Sequence, residues 1–132
     1  MVKNFPMKVA TSNQKTLLRR LKAAEDKYRK LGEALAALGP IRRGSIYQTR
    51  LRCGSAGCSC QRDPDARHGP YWLWTAKVGG KTKCRKLNAD SLPLYRQQSK
   101  NYKKLKQIIQ NMELISNEIT ECQLELATLD AR

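Results

Sequence analysis

The chain has 132 residues, enough for one domain or one small module with helical extensions, and an aromatic content of 6% limits the size of its core. Lys and Arg number 26 against 11 Asp and Glu, and the net charge of +15 makes a polyanion the expected partner. The longest apolar run, residues 34–38, is too short to span a bilayer, and the opening stretch has no apolar export core, so no membrane role is expected. A reducing, cytoplasmic setting follows, in which five cysteines serve as metal ligands or buried thiols rather than disulfides.

Residues 1–10 read as a flexible tail and residues 11–39 as a helix. Leu17, Leu21, Ala24, Tyr28, Leu31, Leu35 and Leu38 recur in steps of four and three, the spacing of a coiled-coil seam. Thr11 and Gln14 have the spacing of a capping box, and Gly39-Pro40 stops the helix.

Residues 40–89 read as a β module. A first strand runs over residues 45–53, a second over 71–78 and a third over 81–87. Gly79-Gly80 supplies the tight turn between the last two, because both glycines can take positive φ. The expected product is a three-stranded antiparallel sheet. The stretch between the first two strands, residues 54–70, has too few apolar side chains to hold a shape unaided.

Residues 90–132 read as a longer helix, capped by Asp90 or Ser91, with Pro93 tolerated in its first turn. Its seam is Leu105, Ile108, Met112, Ile115, Ile119, Cys122, Leu126 and Leu129. Ile109, Leu114 and Leu124 widen the stripe and suggest more than one helical neighbour. Both helices begin basic and end acidic, so an antiparallel pair sets unlike charges side by side. The whole is expected to be an α+β fold, with long antiparallel coiled-coil helices flanking the β module.

Cys53, Cys58, Cys60 and His68 form a C-x4-C-x-C-x7-H pattern, and His68 is the chain's single histidine. Four soft or borderline donors within sixteen residues suit a closed, structural, tetrahedral Zn²⁺ site that would fix the irregular stretch. Arg52, Arg62 and Arg67 lie near enough in sequence to offset thiolate charge. Cys84, on the third strand, is either a small buried side chain or a substitute for His68. Cys122 falls on the helical seam as core filler.

Residues 41–90 carry 11 bases and three acids, a net charge of +8. A two-residue turn would place Trp72, Trp74, Ala76 and Val78 on one face with Lys81, Lys83, Arg85 and Leu87. Interleaved cations and tryptophans suit a nucleic-acid face, with the cations on phosphate and the rings on sugars or bases. Arg50, Arg52, Lys77, Lys81, Lys83, Arg85, Lys86, Trp72 and Trp74 are the candidate contacts. The competing possibility is that both tryptophans are core beneath the helices. No paired carboxylates or nucleophile–base arrangement appears, and Asp63 and Asp65 flank Pro64 as turn formers, so no enzymatic activity is expected.

The runs Gly44-Ser45-Ile46-Tyr47, Arg52-Cys53-Gly54, Cys58-Ser59-Cys60 and His68-Gly69-Pro70-Tyr71-Trp72, then Gly80-Lys81-Thr82 and Asn101-Tyr102, resemble one pattern. It is the signature of an uncharacterised family of small prokaryotic zinc-ribbon-like, coiled-coil proteins. The resemblance covers about residues 41–115 and implies an association with mobile elements and phage-like regions, but no activity. Cys84 replaces the small polar residue usual there, which favours His68 as the fourth ligand. The strand order also resembles the arm-site-binding domains of phage integrases, which lay a three-stranded sheet in the major groove.

The sequence thus leads to a basic, non-enzymatic nucleic-acid-binding protein, an accessory or regulatory factor of a mobile element or phage. Duplex DNA is the favoured partner and RNA a possible one. The helices would mediate homodimerisation or hold a partner protein, and a DNA-binding role would place it at the nucleoid. The alternative is a coiled-coil protein-interaction adaptor with a structural zinc module.

Overall fold

A computed structural model describes residues 11–131; the tail expected at residues 1–10 lies outside the described residues. The order of elements is α1 (Ser12–Ala36), β1 (Ser45–Leu51), β2 (His68–Val78), β3 (Lys81–Leu87) and α2 (Ser91–Asp130). Two compact units result. One joins the chain up to residue 37 with the chain from residue 106 on, and the other is residues 38–105.

In the helical unit, α1 starts on the capping box. The Thr11 hydroxyl accepts the Gln14 backbone N–H at 3.2 Å, and the Gln14 side chain accepts the Thr11 N–H at 2.8 Å. The two helices run antiparallel. Gln14 Nε2 reaches Asp130 Oδ1 at 3.5 Å, and Arg20 donates from Nη2 (2.8 Å) and Nε (3.1 Å) to Glu118 Oε1. That ion pair is exposed, where solvent screening leaves it little weight. Apolar burial carries the contact: Leu17, Ala24 and Cys122 are buried, while Met112, Ile119 and Leu126 are half-buried. The residues that widened the stripe lie outside this seam, Ile109 at 44% exposure and Leu114 and Leu124 at 63% each. Tyr28, on the seam by spacing, is exposed.

In the sheet unit the strands lie in the order β1-β2-β3, antiparallel throughout. Gly79 (φ 59°) and Gly80 (φ 78°) form the turn, with Val78 opposite Lys81. Positive φ at both positions matches the natural twist of a two-residue hairpin. Trp74 lies opposite Arg85 and Ile46, and Trp72 opposite Leu87 and Gln48, so the tryptophans share a face with Lys81, Lys83 and Arg85.

That face carries the core cluster, although Leu73 on the opposite face is also buried. Trp74, Leu87 and Tyr95 of α2 form the core, with Ile46, Trp72, Ala76 and Leu92 against them. The Trp74 and Tyr95 rings meet edge to face at 5.7 Å, and Trp74 Nε1 donates to the Arg43 carbonyl at 2.8 Å. Arg42 closes the arrangement. Its guanidinium lies 4.0 Å from the Tyr95 ring and 5.0 Å from Trp74, and its Nε donates to Gln98 at 2.8 Å.

Trp74 is therefore not the exposed stacking platform proposed from sequence. α2 needs an apolar surface to cover, and Trp74, Leu87 and Ile46 provide it. Trp72 is only half-buried, beneath the Arg96 guanidinium at 4.5 Å.

The start of α2 differs from the cap expected at Asp90 or Ser91. The Asn88 side-chain carbonyl accepts the backbone N–H groups of Asp90 (2.9 Å) and Ser91 (2.8 Å). Ser91 Oγ in turn accepts the Asn88 N–H at 2.9 Å. The connection after α1 is pinned by a buried amide: Asn101 Nδ2 donates to the Pro40 carbonyl at 2.8 Å, and Asn101 Oδ1 accepts from Gln97 at 3.0 Å. Before β1, Gly44 adopts φ 113°. A Cβ there would fall 2.4 Å from the Thr75 carbonyl and 2.6 Å from Trp74 Nε1, so only glycine fits.

Candidate metal centre and cationic surface

The pairing of β1 with β2 builds the Cys/His cluster. Leu51 lies opposite His68, which brings the imidazole beside a chain that reaches Cys53 two residues later. Between them, residues 59–61 and 64–66 form single 3₁₀ turns. Cys60 lies in the first, and Asp63 caps the second by accepting the Asp65 N–H at 3.0 Å. Gln61 Nε2 donates to the Cys53 carbonyl and ties the first turn back to the end of β1.

The donor atoms of Cys53, Cys58, Cys60 and His68 all lie within 4.8 Å of one another. Cys53 Sγ and Cys60 Sγ are 3.4 Å apart, and Cys58 Sγ is 3.4 Å from His68 Nε2. A tetrahedral ion with metal–sulfur bonds of about 2.3 Å has sulfur–sulfur edges of about 3.8 Å, so these separations suit one ion. The gathered set contains His68 and not Cys84, which is exposed in mid-β3 opposite Thr75. The four residues could bind a metal ion.

The electrostatics favour a cation. The backbone N–H of Cys60, then contacts with the Cys60, His68 and Cys53 side chains, bring the Cys58 thiol down to about 6. The Cys60 thiol receives the Cys53 N–H at 3.3 Å, which pulls its pKa down. Burial and the neighbouring Cys58 and Cys53 sulfurs outweigh that bond, and the net shift is upward. Cys60 thus resists ionising beside its neighbouring sulfurs without a positive charge among them. A divalent cation would remove that conflict, and its binding would release protons.

The sequence-derived cations are distributed around the sheet rather than gathered on one face. Lys81, Lys83 and Arg85 project on the Trp74 side, while Lys77 and Lys86 project on the other, where Lys86 Nζ lies 3.6 Å from the Tyr71 ring. Arg50 is on β1 and Arg52 just beyond it. All seven are exposed, and none forms an ion pair among the described residues.

The fold and its cluster define a small α+β protein, with two helices, a three-stranded antiparallel sheet and a Cys/His group able to hold a metal ion. The chain belongs to the family of the domain of unknown function DUF6788, whose model matches residues 17–97. No curated protein and no solved structure matches the chain. Among the described residues, no helix is long and apolar enough to cross a membrane.

Proposed function

We propose that this protein binds nucleic acid without catalysing a reaction, and that Zn²⁺ at Cys53, Cys58, Cys60 and His68 holds its β module in shape. Duplex DNA is the favoured ligand. The observation that carries this reading is the set of seven exposed, unpaired bases on a unit with very few acids. Cations held in no ion pair are available to displace counterions from phosphate. The choice of zinc rests on the donors, three sulfurs and one nitrogen, which suit a closed four-coordinate site with no position left for substrate. Arg67 adds to this. Its Nε is buried without a hydrogen-bond partner among the described residues, and a negatively charged metal–thiolate centre nearby in sequence would offset that cost.

The helices carry the remainder of the proposal. Their antiparallel pair acts as a coiled coil that dimerises the protein or holds a partner, and the protein works in the cytoplasm at the nucleoid, in the service of a mobile element or phage. A second reading, the protein-interaction adaptor, is favoured by the exposure of Leu114 and Leu124 on α2.

Fluorescence anisotropy on protein freed of co-purified nucleic acid separates the two. The proposal expects binding to a duplex probe at about 0.15 M salt. It also expects affinity to fall roughly a thousandfold between low and moderately high salt, as for about six neutralised phosphates. Competition with structured RNA tests the preference for DNA. Absence of binding, or binding indifferent to salt, would leave the adaptor reading in its place.

A further inference from the structure

Among the described residues, α2 carries no carboxylate before Glu113, and the bases of its first half are not among the seven sheet cations described above. Three of them, Arg96, Lys100 and Lys103, follow one another at steps of four and three and so share a helical face. With Ser99 they form one wall of a groove of about 520 Å³, completed by Ser45 at the start of β1 and by Trp72. All of these residues belong to the sheet unit.

We infer that this groove is a phosphate-tracking site for one strand of nucleic acid, with Arg96, Lys100 and Lys103 as its cations. The inference rests on the nucleic-acid reading and deepens it, by assigning the backbone to α2 as well as to the β2–β3 hairpin. Three features carry it.

The first is charge. Arg96, Lys100 and Lys103 are exposed, and none meets a carboxylate at ion-pair distance among the described residues. The second is spacing. Residues 96–103 rise about 10 Å along the helix, close to three phosphate-to-phosphate steps of about 3.4 Å each along one strand.

The third is preorganisation. Arg96 lies 4.5 Å over the Trp72 ring, so the cation at one end is already held, and little rotamer freedom remains to be lost. The hydroxyls of Ser45 and Ser99 line the same groove and suit phosphate oxygens as donors. Trp72 thus contributes as the floor beneath a cation rather than as an open stacking surface.

The test is an anisotropy titration of the metal-loaded full chain on a duplex probe across a range of salt, with four variants. K100Q/K103Q removes two groove cations, and K100R/K103R retains their charge. K81Q/K83Q removes two hairpin cations, and K27Q/K30Q removes two exposed lysines from α1 in the other unit. K100Q/K103Q is expected to weaken binding about tenfold and to reduce the salt slope by about two, while K27Q/K30Q changes neither and K100R/K103R binds as the parent does. Lys100 and Lys103 are exposed, and unchanged tryptophan emission and metal content confirm that the fold is intact.

If K81Q/K83Q weakens binding while K100Q/K103Q does not, the groove assignment is overturned and the nucleic-acid reading survives. Equal losses in K100Q/K103Q and K27Q/K30Q would show a general charge effect and overturn it equally. If the parent protein does not bind, both fall together.

Discussion

Replacing Cys60 with serine is expected to weaken metal binding at the proposed site and to loosen residues 53–68. Cys60 is the most buried of the four donors, at 1% exposure, and its sulfur touches both the Cys53 sulfur and the Cys53 backbone N–H. The segment it organises has two single turns and little apolar content, so the proposed ion would fix its shape. Structural zinc sites contribute on the order of 10–16 kcal/mol in apparent binding free energy. Loss of one of four ligands should thus remove about 3 kcal/mol, a weakening of roughly a hundredfold.

Hydrogen exchange is the direct readout. Amides of residues 53–68 should lose protection in C60S, while α1 and the later part of α2 keep theirs. Cys84→Ser is the matched control, since Cys84 lies exposed and outside the cluster. It should change neither metal content nor protection. The opposite outcome, with C84S losing metal and C60S keeping it, would displace His68 from the ligand set.

Trp74→Ala is expected to be the most destabilising single substitution in the sheet unit. Its ring packs on Tyr95, carries the Arg42 guanidinium and hydrogen-bonds to the Arg43 carbonyl, so truncation empties the centre of a small core. Large aromatic-to-alanine changes cost about 3–5 kcal/mol, a large share of an ordinary domain's stability. The corresponding fall in Tm should be at least about 12 °C. Trp72 remains as the fluorescence probe, and a milder loss is expected for Trp74→Phe, which keeps a ring but forfeits the bond to Arg43. If W74A unfolded at the parent's temperature, the packed face of the sheet would have been misassigned.

The parts of this fold that were legible in the sequence are those set by local chemistry. Gly79-Gly80 reads as a hairpin because positive φ at two consecutive positions requires such residues, and the structure has that turn. The steps of three and four single out Leu17, Ala24 and Cys122, which are buried. The spacing of Cys53, Cys58 and Cys60 reads as a ligand set because three thiols in eight residues, with a histidine close behind, are soft donors dense enough to surround one ion. The choice between His68 and Cys84 was less open to spacing alone. It depends on β1 and β2 pairing Leu51 with His68, a long-range register that the sequence does not display.

The covered side of the sheet was not legible for a related reason. Trp72 and Trp74 alternate with Tyr71 and Leu73, so both faces of β2 offer apolar groups, and strand periodicity cannot rank them. The decision comes from outside the strand, where Tyr95 and Leu92 on α2 and Leu87 at the end of β3 converge on Trp74. Tyr95 has few sequence marks of a core residue, since it precedes a run of bases. Those bases were legible as a charge gradient for pairing helices. Their groove with Ser45 and Trp72 needed the strand and helix placed together.

X-ray absorption spectroscopy at the metal edge, on protein purified without added metal and shown by mass spectrometry to carry its native ion, tests the cluster most directly. One ion per chain with three sulfur neighbours and one imidazole nitrogen, at about 2.3 and 2.0 Å respectively, is the expected result. A protein that carries no ion when folded, or one whose ion is ringed by oxygen, would contradict it.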